Sequence, residues 1–268
     1  MAANQQPILV PPDPAPPAQP PRKLPANLQI WSVTIILILA AAKVGTIPVS
    51  GYSWIGMLLI MFVFVLFLGR WICGRPLGIL VMERNLMSLS RFQIILWTLL
   101  ILSAYLTIAM QRIHAGMPDA LNFGLDPKLW ALLGISTASL VGSPLLLQSK
   151  KTQDPSDATV NKAADLLGEN QADIQENREG RLYSNGEPKD ARFTDMFQGD
   201  LVGNTAYIDP AKLQMFLFTL IVAASYGYSI FHAMYGDPKT LAMPPVSEGM
   251  VALLGISHAG YLGSKAAG

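Results

Sequence analysis

The sequence lacks the usual signatures of catalysis. HExxH, GxSxG, a phosphate-cradling Walker loop and CxxC are all missing from its 268 residues, so no common route to metal, nucleophilic or nucleotide chemistry is written in it. The three histidines, His114, His232 and His258, do not have the spacing of metal ligands. A single cysteine, Cys73, excludes an intramolecular disulfide framework and a cysteine-built metal site. Charge is scarce as well: 14% of residues are Asp, Glu, Lys or Arg, where soluble domains carry about 25%. A net charge of +1 offers nothing to a polyanion, so nucleic acid is not an expected partner. No enzyme activity and no cofactor are expected.

What is present is apolar. Hydrophobic residues make up 51% of the chain and the mean hydropathy is +0.36. They fall in blocks of the length that crosses a bilayer core, roughly 20 helical residues. The expected fold is an all-α integral membrane protein with six transmembrane helices. Residues 1–28 form a polar, proline-rich tail containing Pro17-x-x-Pro20. Repeated proline holds φ and removes amide donors, so polyproline II or disorder is expected there. The tail does not read as a signal peptide, because it has no basic start followed by an apolar core. Residues 29–73 form a first transmembrane hairpin, and 74–87 a connector whose run Leu77–Met82 is too short to span and fits a strand or an interfacial segment.

The rest of the chain repeats. Ala131-Leu132-Leu133-Gly134-Ile135-Ser136 returns 121 residues later as Ala252-Leu253-Leu254-Gly255-Ile256-Ser257. The same offset pairs Gln93 with Gln214, Thr98 with Thr219 and Tyr105 with Tyr226. Residues 88–148 and 209–268 therefore read as two tandem, parallel αα-hairpins. Cap-competent residues also fall at equivalent positions, Ser88 with Asp209 and Asp126 with Ser247. Such side chains accept the first free amides of a helix, and chance apolar similarity would not place them at one offset. Residues 149–208, between the copies, are polar and form the only sizeable water-soluble part. Their carboxylates are expected to solvate a mobile segment. Val160, Ala164, Leu167 and Ile174 give this segment a modest helical stripe.

Basic residues gather on one side of the spans, including Arg22, Lys23, Arg75, Arg84, Lys150 and Lys151. That asymmetry predicts that both termini and residues 149–208 are cytoplasmic; the expected location is a bacterial inner (plasma) membrane.

Three groups of residues are candidates for function. Gly134, Ala138 and Gly142, repeated as Gly255, Ala259 and Gly263, place small residues four apart. Close backbone approach of that kind drives helix packing in lipid, either between the repeats or between subunits of a homo-oligomer. Phe193, Met196, Phe197 and Leu201 recur at three- and four-residue steps, as in a short amphipathic helix. Such a patch can recruit a cytoplasmic protein partner, sit on the bilayer, or pack on the protein's own helices. Lys43, Tyr105, Tyr226 and His258 are polar groups within apolar spans. They fit a polar path, but hydroxyls also satisfy helix carbonyls, and a lysine near a span end snorkels. The leading expectation is a membrane anchor or scaffold that presents residues 149–208 to a partner; the alternative is an oligomeric channel or small transporter.

Overall fold

The computed structural model describes residues 26–47 and 50–267, and among these the chain is helical. The proline-rich tail lies outside the described residues, apart from its last three positions, 26–28. Eight α-helices follow in order: α1 Ala26–Gly45, α2 Gly51–Cys73, α3 Leu89–His114, α4 Pro127–Leu147, α5 Asp157–Leu167, α6 Gln171–Asn177, α7 Pro210–Ala233 and α8 Glu248–Ala267. Among the described residues, four segments are long and apolar enough to cross a bilayer: Gly51–Cys73, Leu89–His114, Pro127–Lys150 and Pro210–Ala233. The apolar stretch of α1, Ile30–Val44, is shorter, and α8 does not meet the same measure.

The helices start where their caps stand. Ser88 accepts from the amide of Arg91, Asp126 from Lys128, Asp209 from Ala211 and Lys212, and Ser247 from Met250. Pro127 and Pro210 occupy first helical positions, where no amide is needed. Asp126 also accepts from the amide of Val246, which ties the loop before α4 to the loop before α8.

Helix α4 packs on α3 and on α8, and α7 packs on α8, α3 and α2. The core inside holds Trp97, Ile108, Leu132, Tyr226, Ile230 and Leu254. Helix α1 packs on α2 and touches α3, so it stands at the edge.

Residues 149–208 are not a mobile segment of solvating charge, as the sequence suggested. They fold into a lobe with its own core of Val160, Ala163, Ala164, Ile174, Tyr183 and Val202, joined by Leu86 from the connector. The expected stripe is the inner face of α5 and α6. These are two helices rather than one because Gly168 ends α5 in the left-handed region, φ 67°. The connector does not form a strand. It makes one 3-10 turn at Gly78–Leu80 and then a tight reversal, with Val81 bridged to Met87 and Asn85 at φ 57°.

Candidate functional site: a buried latch and the polar seam below it

The reversal at residues 81–87 pushes Arg84 into the lobe, where it is 3% exposed. Its guanidinium donates to the Tyr183 carbonyl at 2.8 Å and to Asp200 Oδ1 at 2.8 Å. Asp200 sits at a bend held on both sides, with Leu182 bridged to Leu201 and Gln198 bridged to Ile208. Its other oxygen meets Lys265 Nζ at 2.8 Å and Lys212 Nζ at 3.1 Å. Lys212 opens α7 and Lys265 ends α8. One carboxylate of the lobe thus joins it to the connector and two helices, through residues 116, 12 and 65 positions away in sequence. Lys150, also buried, donates to the Lys265 carbonyl at 2.9 Å, bringing the end of α4 to the same point.

The cluster carries more positive than negative charge. The carboxyl-terminal ends of α4 and α8, which carry the negative pole of the helix dipole, offset part of the excess. Burial alone would push the Asp200 carboxyl up. Lys265, Lys212 and Arg84 together outweigh it and hold the group well below the usual carboxylate range. Asp195, nearby in the lobe, goes the other way. Burial raises it, although the amides of Arg192 and Met87 both donate to its Oδ2.

Further attachments surround the latch. Arg75 donates to the carbonyls of Pro188, Lys189 and Ala191. Asn85 and Asn185 each donate to the other's carbonyl, at 2.9 and 3.0 Å. Leu80, Met87, Met196, Met215 and Tyr261 form an apolar joint between lobe and helices.

This joint accounts for the aromatic patch read from sequence. Met196 and Leu201 are buried, and Phe197 stacks edge-on against Phe216 of α7 at 5.0 Å. Only Phe193, 48% exposed, keeps a large free face. The patch is the lobe's own contact with the bundle.

The small-residue stripes are divided. Gly142 faces Leu262 and Gly255 faces Ile135 across the α4–α8 contact, at ordinary van der Waals distance for an added Cβ. Gly134, Ala138, Ala259 and Gly263 lie on the exposed side. The buried stripe of α4 is instead Leu129, Leu132, Ser136, Ser139, Ser143 and Leu147.

Lys43 is exposed in the last turn of α1. Tyr105 and Tyr226 act alike: each hydroxyl donates to a carbonyl of its own hairpin loop, Leu121 at 3.3 Å and Pro244 at 3.1 Å. His258 is buried, with Nδ1 2.8 Å from the Leu254 carbonyl.

His258 belongs to a larger polar group inside the bundle. Next to the latch, the Tyr261 hydroxyl lies 3.2 Å from both Ser90 Oγ and Ser143 Oγ. Deeper in, Gln93 donates to Thr219 Oγ1 at 2.5 Å. Gln93 Oε1, Trp97 Nε1, Ser136 Oγ, Ser139 Oγ and His258 Nε2 are all buried without a hydrogen-bond partner. Each such group costs about 1–3 kcal/mol if it stays unpaired. Sequence reading picked out His258 as an intramembrane polar group and met Gln93 and Ser136 as repeat positions. It passed over Trp97 and the latch residue Asp200.

Among the described residues, no group of His, Cys, Asp and Glu could hold a metal ion. Comparison of the chain with family models, with curated proteins and with solved structures finds no match.

Proposed function

We propose that the protein is a non-enzymatic membrane scaffold that presents the lobe of residues 149–208 as a rigid docking platform for a protein partner. The observation that carries this reading is the Asp200 latch. A flexible tether needs no buried carboxylate held by three cations on separate elements, because desolvating those charges is costly and is recovered only in a fixed geometry. The platform's outer surface has room for a partner. One open cleft of about 430 Å³ is lined by Glu169, Asp173, Asn177 and Arg192, and a second of about 820 Å³ by Pro155, Thr159, Lys162 and Asn204.

In this reading the chain crosses the membrane six times, with α1 and α8 completing the set. The hairpins of 88–148 and 209–268 are parallel repeats, and both termini and the lobe are cytoplasmic. The side of the membrane rests on the basic residues beside the spans. A reporter fused near residue 170 then behaves as cytoplasmic; activity on the opposite side overturns the orientation.

The platform itself is tested in native membranes with the full chain. A photo-crosslinking residue at Lys162, in the larger cleft, is compared with one at Tyr228, which is 68% exposed on α7. A defined protein adduct from position 162 that is lost in Asp200→Asn supports the platform. Adducts no different from those at position 228 refute it.

A further inference from the structure

Five of the unpaired polar atoms of the bundle lie in two successive layers near the latch; a sixth, Arg112 Nε, lies at the far end of α3. Ser90 of α3, Ser143 of α4 and Tyr261 of α8 meet through hydrogen bonds and so fix a common depth. Helix α3 runs away from that depth and α4 and α8 run toward it, each at about 1.5 Å per residue. Gln93 and His258 therefore lie about 4.5 Å further in and Ser139 about 6 Å, in one layer. Trp97 and Ser136 lie about 10.5 Å in, in the next. All five residues are between 0% and 3% exposed.

Their chemistry specifies what they bind. The indole of Trp97 only donates and the Gln93 oxygen only accepts, while serine hydroxyls do both. Nδ1 of His258 donates to the Leu254 carbonyl, so in the neutral ring Nε2 is left as an acceptor. None of the five carries a formal charge when the His258 ring is neutral, so the set offers no counter-charge to an ion. A neutral molecule that both donates and accepts suits the set.

Outward of the first layer, at the level of Ser143 and Tyr261, there is a small space. A cavity of about 20 Å³ is bounded by Ser143 and Tyr261 on one side and by Asp200, Lys212 and Lys265 on the other; space of that size takes about one water. In the opposite direction the core turns apolar at Leu100, Ile101 and Leu132. There Ser103 and Thr107 are satisfied by carbonyls of their own helix.

We infer that the centre of the α3–α4–α7–α8 bundle is a blind inlet for water. It is entered from the latch side, lined by Gln93, Ser139 and His258 and then by Trp97 and Ser136, and closed by the apolar core beyond. It binds neutral water-sized molecules, so the bundle is hydrated to about 10.5 Å below the level of Ser90, Ser143 and Tyr261 without forming a through-path. This does not depend on the platform reading.

Radiolytic hydroxyl labelling of the full chain in lipid nanodiscs, read by mass spectrometry, tests it. Bound water labels reactive side chains beside it even when bulk solvent cannot reach them. Trp54 is the internal control: it is 5% exposed, but its indole N–H is bonded to Ser103 at 2.9 Å. The expected result is several-fold more oxidation of Trp97 and His258 than of Trp54. Ser136→Leu should then abolish the labelling of Trp97 and leave that of His258. If Trp97 and His258 in the unaltered protein are as inert as Trp54, the inlet does not exist, whatever the variant does.

Discussion

Asp200→Asn is the most informative single perturbation of this protein. It keeps the shape of the side chain and removes one charge. Arg84, Lys212 and Lys265 are 3%, 5% and 6% exposed, so all three lose their counter-charge in a place where bulk solvent does little to screen them. Breaking a buried pair from one side costs about 3–5 kcal/mol. Since 1.4 kcal/mol is tenfold in an equilibrium, the bundle–lobe unit should open at least a hundredfold more readily. Denaturant titration of the full chain in micelles, with limited proteolysis of residues 149–208 as a second readout, measures this. The pH dependence gives an independent check. The folded-state value of Asp200 lies below its unfolded one, so its stabilisation is fully present above the ordinary carboxylate range. It disappears as pH falls through the lower, folded value. The unaltered protein should show that acid loss and the Asn variant should not. Replacing Lys265 by Met in the Asn variant should restore part of the stability, because one buried unpaired cation is gone. If Asp200→Asn unfolds and is cleaved like the unaltered chain, the latch is wrong.

Other perturbations separate the remaining parts of the structure. Gly69→Ala should destabilise strongly, because its Cβ would collide with the backbone of Pro76 and Gly78; Gly134→Ala has open space and should change thermal stability in micelles by less than about 0.5 kcal/mol. Gly134→Leu should likewise leave the fold intact, and size measurement in detergent will show whether it alters assembly. Met196→Ala should cost about 2–5 kcal/mol by denaturant titration, as deletion from a closed core does, whereas Phe193→Ala should cost much less. Asp195→Asn can keep both amide bonds through its carbonyl oxygen. Asp195 is raised by burial, so the unaltered protein gains stability as pH falls from that raised value toward the ordinary one; pH-dependent melting of the variant should lack the gain.

The helix boundaries were legible because they are local. Ser88, Asp126, Asp209 and Ser247 cap their helices within three residues of themselves, and local spacing is what a sequence displays. The inward faces were harder to read. In water a helix turns its apolar side in, but in lipid both sides can be apolar. Gly134–Ala138–Gly142 and Ser136–Ser139–Ser143 are both periodic stripes of α4, and only the packing of α3 and α8 shows that the serines point inward. Asp200 was illegible for a different reason. It lies outside any periodic pattern, its cations come from elements up to 116 residues away, and a single aspartate in a polar segment reads as solvated. The fold of the lobe depends on that contact and on the burial of Met196 and Tyr183 against distant partners. Composition alone therefore suggested a mobile segment.

Amide hydrogen exchange of the full chain in lipid nanodiscs tests the latched lobe most directly. The amides of Tyr183, Val202 and Asp209 donate to the carbonyls of Asp200, Arg181 and Phe197. They should be protected to nearly the same degree as the middle of α5, and Asp200→Asn should release them together. Exchange of these amides at the rate of an unstructured peptide in the unaltered protein would mean that residues 149–208 are a tether and not a platform.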